Sequence, residues 1–235
     1  MLVTKKNVTY TIYLSFIVQV ITSFIAAGGL VEKLSERDKI LKDILTMELL
    51  VQFVESSFYL WVLFAVKESD YNKITKRRYI DWVITTPTML ISTIIFMKYV
   101  EYKEQNKPIF EFKEVIFEEK DNLMKVVFYN FMMLLFGFLG ESGKISKKIS
   151  VSIGFIFFYL SFRIIYSYGK NTETGQKLFY FLTTVWSLYG VAALCDETLK
   201  NICYNILDIV SKNFYGLYIY YIIKQVNITN LENGK

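Results

Sequence analysis

Two short clusters of charge lie inside otherwise apolar sequence. In RRYIDWVITTP, Arg78 precedes Asp81 by three residues and Thr85 follows it by four. In LDIVSK, Asp208 and Lys212 stand four apart. Such spacings put side chains on one face of a helix. A desolvated lysine is a nucleophilic amine that can condense with an aldehyde to form an imine. The protonated imine keeps its positive charge and needs a counterion, which Asp208 or Asp81 can supply. One iminium and Arg78 balance Asp81 and Asp208, so the four charges sum to zero and can persist in a low-dielectric interior. The Thr85 hydroxyl is spaced to donate to the Asp81 carboxylate. The plainer alternative is an Asp208–Lys212 ion pair that fixes helix packing. Pro87, six residues after Asp81, interrupts any helix there.

These charges need elements that hold them away from water, and the composition supplies such elements. The chain has 235 residues, 53% hydrophobic and 17% aromatic, with two prolines and no histidine. Its apolar runs match the roughly 20 helical residues that cross a hydrocarbon core. The first begins near Val8 and lacks the short apolar core and small-residue cleavage site of a signal peptide, which predicts a retained helix. Without histidine no imidazole acid, base or metal ligand exists, no metal site is expected, and no Ser/His/Asp set is possible. No glycine-rich phosphate loop occurs, so nothing points to an enzyme. The net charge of +5 is spread along the loops. That suits a membrane surface and not a nucleic-acid partner. Cys195 and Cys203 can close an outer loop as a disulfide or stand as free thiols.

Seven apolar segments are legible, at roughly 8–31, 40–66, 74–100, 122–140, 149–168, 177–194 and 201–224. They predict an all-α membrane protein, one seven-helix bundle over 1–235, with neighbours antiparallel because the connections are short. An odd number of crossings separates the termini. The Lys and Arg distribution places the N-terminus outside and the C-terminus in the cytoplasm. The long connection 101–121 contains IFEFKEVIFEEK. On a helical wheel Ile109, Phe112, Val115 and Ile116 share a face opposite Glu111, Glu114 and Glu118. That pattern suits a short interfacial helix, with an ordered, aromatic-anchored loop as the alternative.

RYIDWVITTP in the third segment and LDIVSK in the seventh resemble the two signature motifs of microbial (type 1) rhodopsins, and the resemblance runs over nearly the whole chain. It implies all-trans-retinal bound covalently to Lys212, with Asp81 and Asp208 as counterions and Arg78 beneath them on the outer side. It further implies that Trp82, Trp186 and Tyr189 sandwich the polyene, that Thr86 and Asn130 pair beside it, and that Met133, Phe155 and Tyr159 line its ring end. Gly190 and Ala193 depart from the proline and tryptophan of many members, which implies a looser pocket on that side.

The resemblance leaves the activity open. Outward proton pumps of the family carry a carboxylate eleven residues after the third-helix aspartate, about three turns away. Here that residue is Ser92, which argues against fast reprotonation. In TMELLVQFVESSFYLW, Glu48, Gln52 and Glu55 form one helical stripe. Ser15 and Asn205 can face it across a seam between the first, second, third and seventh helices. Carboxylates at membrane depth line ion paths, although Glu48 also reads as a solvated group near the cytoplasmic boundary. The stripe resembles channelrhodopsins, and the set Asp81, Thr85, Ser92 resembles rhodopsins of large viruses of algae and protists. Together they imply a light-gated cation channel, with a slow proton pump or a sensory photoreceptor as alternatives. The partners expected are a lipid bilayer and cations, divalent ions acting as blockers, and a homo-oligomer is compatible with this. A viral origin would place the chain in a host-cell membrane.

Overall fold

The computed structural model describes residues 4–65, 71–108 and 110–233, and the side chains among them except those of 71, 72 and 231–233. The helices are α1 (Lys5–Ala27), α2 (Ile40–Ala65), α3 (Tyr71–Glu104), α4 (Phe112–Glu118), α5 (Lys120–Glu141), α6 (Lys147–Gly169), α7 (Glu173–Ala192), α8 (Glu197–Asp208) and α9 (Phe214–Asn233). A π-helical turn over Ile209–Asn213 joins α8 to α9, so the two run on as one interrupted rod. With α4 set aside, seven rods form the bundle, as the apolar segments predict. Val66, the last residue expected in the second segment, lies outside the described residues.

Among the described residues, five stretches are long and apolar enough to cross a membrane: Lys5–Val31, Glu36–Ala65, Lys73–Glu104, Lys120–Glu141 and Lys147–Gly169. The α8–α9 rod falls short because α8 carries Lys200, Asn201, Asn205 and Asp208, all buried inside the bundle. α3 is the most enclosed of the five and packs against α2, α5, α6, α7 and α8. Outward-facing positions such as Phe24, Phe53 and Phe64 are apolar and exposed, the pattern of a lipid-facing surface.

The helix does not stop at Pro87, contrary to the sequence expectation: α3 runs unbroken for 34 residues. Proline removes one hydrogen bond, and membrane helices absorb that loss through packing and local hydroxyls. Thr85 and Thr86 bond back to the carbonyls of Asp81 (3.0 Å) and Trp82 (2.6 Å) within the same turn.

α4 shows that the 101–121 connection is helical in part. Glu111 and Glu114 form a reciprocal capping box at its start. Val115 is fully buried, and Phe112 and Ile116 pack against the core, so this face rests on the bundle as well as lying at its edge. Ile109 lies outside the described residues. Lys98 of α3 ties the connection down through Glu118 (3.1 Å) and Glu119 (2.7 Å). The Tyr168 hydroxyl of α6 also donates to Glu119.

Burial opposes ionisation of Glu119, but the hydrogen bonds from Lys98 and Tyr168 outweigh it and hold its carboxyl below the ordinary value of 4.5. A depressed carboxyl stabilises the fold fully above that value and loses its contribution as pH falls through the lowered one. Glu119→Gln should therefore lower stability by about 1–2 kcal/mol at neutral pH. Thermal unfolding in detergent checks this, and the gap between variant and unmutated chain should close in acid.

Candidate functional site

α3 presents Arg78, Asp81 and Thr85 inward along one face, and the α8–α9 rod presents Asp208 and Lys212. The π turn widens the backbone just where Lys212 leaves it, a distortion common at functional sites and one that the sequence pattern does not announce. Lys212 Nζ lies 2.8 Å from Asp81 Oδ2 and 3.7 Å from Asp208 Oδ1, and all three side chains are buried. Arg78 Nη1 reaches Asp208 Oδ2 at 2.9 Å, and its Nη2 donates to Asn205 Oδ1.

Three further residues complete this cluster: Glu55, expected near the lysine, and two tyrosines whose bonds to Asp208 were not foreseen. Glu55 of α2 stands 3.1 Å from Lys212 Nζ, which adds a third acid. Tyr59 and Tyr189 each donate a hydroxyl to Asp208 at 2.8 Å. Their aromatic character gave no signal, because the partner lies on another helix. Asp208 is thus saturated by two tyrosines and an arginine. Asp81 Oδ1, by contrast, is buried without a hydrogen-bond partner. Thr85 does not supply one: its hydroxyl turns to the Asp81 backbone carbonyl, the acceptor one turn back that a helical threonine reaches most easily.

Lys212 also opens onto a cavity of about 780 Å³ of unfilled space, open in part to the surroundings. Trp82, Thr86, Met133, Phe155, Trp186 and Tyr189 line it. Asn130 Nδ2 donates to Thr86 Oγ1 (2.8 Å), which links α5 to α3 beside the cavity. Tyr159 is not a lining residue. It is 61% exposed, because its position on α6 faces outward. Gly190 matters for shape, since a Cβ there would stand 2.6 Å from the Phe155 ring. The cavity is walled by aromatics and includes an amine, so these residues fit a polyene aldehyde such as retinal.

On the other side of Lys212, polar groups continue between α1, α2, α3 and α8–α9. Ser15 Oγ donates to the Asn205 carbonyl at 3.2 Å. Gln52 is buried with both side-chain polar atoms unpartnered, and its amide packs so close to Gly216 that a Cβ there would displace it. Glu48 is fully buried, which removes the reading of it as a solvated boundary group. Ser92 donates its hydroxyl to Glu48 Oε1. A carboxyl therefore does stand beside Ser92, supplied by α2 instead of α3, which weakens the argument drawn from Ser92 alone. Cys195 and Cys203 are free thiols.

The model of the bacteriorhodopsin-like protein family matches residues 9–226. The chain belongs to this family. Members are photoreceptors, pumps or channels, generally not enzymes, and the family implies a retinal chromophore on a lysine. The apolar helices make this rhodopsin an integral membrane protein in contact with lipid. Among solved structures, viral rhodopsin OLPVRII is 26% identical, with a TM-score of 0.81 over 93% of this chain and 98% of that one. A blue light-absorbing proteorhodopsin from Med12 is 20% identical, with a TM-score of 0.71 over 93% and 97%. A light-driven proton pump from Leptosphaeria maculans is 14% identical, with a TM-score of 0.66 over 93% and 96%. The last two share the fold alone. None of the curated proteins matches the chain.

Lys212→Ala should give a folded rhodopsin with no visible absorption band after retinal addition; an unchanged band would refute the assignment of Lys212. Asp81→Asn removes a negative charge 2.8 Å from Nζ and should move that band to longer wavelength. Absorption spectra of the purified variant check this, and a stationary band would leave Asp208 and Glu55 as the effective counter-charges.

Proposed function

We propose that this rhodopsin is a light-gated cation channel, with all-trans-retinal held on Lys212 in the dark. When bound, retinal supplies light absorption and a change of shape at Nζ. Asp81, Asp208 and Glu55 hold the positive charge at that end. Trp82, Trp186 and Tyr189 confine the chain of the chromophore and exclude water from it. Arg78 stands between this cluster and the N-terminal end of the bundle, which the loop charges favour as the outer side.

The observation that carries the channel reading is the buried polar seam. It runs from Glu48 through Gln52 to Glu55 on α2, flanked by Ser15, Asn205 and Ser92. Glu48 Oε2, Glu55 Oε2 and both polar atoms of Gln52 have no hydrogen-bond partner, while Glu55 Oε1 is ion-paired with Lys212. Buried polar atoms without partners call for water or a passing ion. Glu55 then serves as a filter next to Lys212, Glu48 as a constriction toward the cytoplasm, and Gln52 closes the seam between them over Gly216. Carboxylates in a narrow path attract cations and bind divalent ions tightly enough to slow them.

One observation favours a second reading. The Ser92–Glu48 contact puts a carboxyl at the depth where the family's outward pumps carry their proton donor, which suits a slow pump. Whole-cell current under light at several voltages separates the two. A channel current reverses at a potential set by the ion gradients, whereas a pump current keeps one direction. Glu55→Gln should shift the reversal potential or change the current size, and Glu48→Gln should reduce current as well, since that group is equally buried. If current never reverses and only Glu48→Gln slows it, the pump reading stands.

A further inference from the structure

The polar stripe of the seventh rod does not end at Arg78. Going outward from Lys212, α8 carries buried Asp208, Asn205, Asn201 and Lys200 and then half-buried Glu197, at steps that keep them on one side of the helix. Asn201 Nδ2 donates to Thr75 Oγ1 at 3.1 Å, while its Oδ1 is buried without a partner. Thr75 donates in turn to Glu197 Oε2 at 3.3 Å. The stripe ends in four charges from three helices. Lys200 Nζ is held by Glu141 Oε2 of α5 (2.7 Å) and Glu197 Oε1 (2.6 Å). Lys147 of α6 reaches Glu197 at 3.3 Å and Glu141 at 3.9 Å. Lys200 is 0% exposed although it lies within one turn of the start of α8.

We propose that Glu141 and Glu197 form a cation site at the outer end of the light-opened path, and that the Lys200 ammonium is the tethered cation that fills it. The inference rests on the channel reading above. Two carboxylates that share one ammonium, one of them bonded to the Thr75 hydroxyl, are a ligand set for a hard cation. A buried ammonium is seated between them instead. Together with Lys147 it cancels their charge, so the mouth neither traps divalent ions nor concentrates monovalent ones. An ion leaving the seam must displace this ammonium, which makes Lys200 a residue that sets conductance and divalent sensitivity.

The test uses the full chain loaded with retinal, expressed in cells, with light-induced current recorded with and without external calcium. In Lys200→Gln the two carboxylates lose the buried ammonium while Lys147 stays, which leaves the cluster one net negative charge. Inward monovalent current in calcium-free solution should rise, and calcium at about 1 mM should block it at least ~3-fold more strongly than in the unmutated chain. Glu141→Gln combined with Lys200→Gln keeps the cluster neutral, so it should pass the larger current without the added calcium block. It also covers the case in which the single variant fails to fold, which an absent visible band reveals. If the unmutated chain gives reversing current and neither variant changes current size or calcium block, this inference falls and the channel reading remains. If the unmutated chain gives no reversing current, the channel reading falls and this inference with it.

Discussion

Burying charge in a space without water is the constraint on which this molecule is built. Around Lys212 there are two bases, Arg78 and Lys212, and three acids, Glu55, Asp81 and Asp208, all essentially closed to solvent. Removing one member of such a buried set costs about 3–5 kcal/mol, because its partner is left unpaired. The cluster is therefore held by four rods at once. α3 sits centrally to deliver Arg78 and Asp81, α2 delivers Glu55 and Tyr59, and α7 delivers Tyr189. The α8–α9 rod opens into a π turn to deliver Lys212. If all five groups were ionised, the acids would leave one surplus negative charge.

The same constraint divides the rest of the bundle into two halves. On the side of α5, α6 and α7, Lys212 meets an aromatic cavity with few polar atoms. On the side of α1 and α2 it meets Glu48, Gln52 and Glu55, which carry polar atoms without partners, with Ser15 and Asn205 hydrogen-bonded beside them. An apolar cavity suits an apolar chromophore, and a line of unpaired polar atoms suits water and ions. Lys212 lies on the border, so a change of shape at its Nζ acts on both. The polar stripe that makes this border is also why the α8–α9 rod is too polar to stand out as a crossing on composition.

Shared fold does not decide activity among these proteins. The Leptosphaeria maculans structure is that of a light-driven proton pump and keeps the same bundle at 14% identity. In this chain α2 places two of the acids. Ser92 and Glu48 make one hydrogen-bonded pair from two helices, and Glu55 joins the Lys212 cluster from α2. Both placements add carboxyls along a single seam, and Lys200 with Glu141 and Glu197 extends the line of charge to the end of α8.

The sequence by itself determined the class of fold, because twenty-residue apolar runs and a shortage of proline leave no other way to satisfy the backbone in lipid. It also determined that Arg78 with Asp81, and Asp208 with Lys212, share helical faces, since spacings of three and four are local geometry. What lies across helices was decided by tertiary packing alone. Glu55 against Lys212, Tyr59 and Tyr189 on Asp208, and Glu48 on Ser92 depend on which faces meet and at what depth, and no periodicity within one helix carries that. The same holds for the corrections. Thr85 chose its own backbone, Tyr159 turned outward, and Pro87 left α3 intact, because each outcome depends on competing partners that only the packed bundle brings into reach.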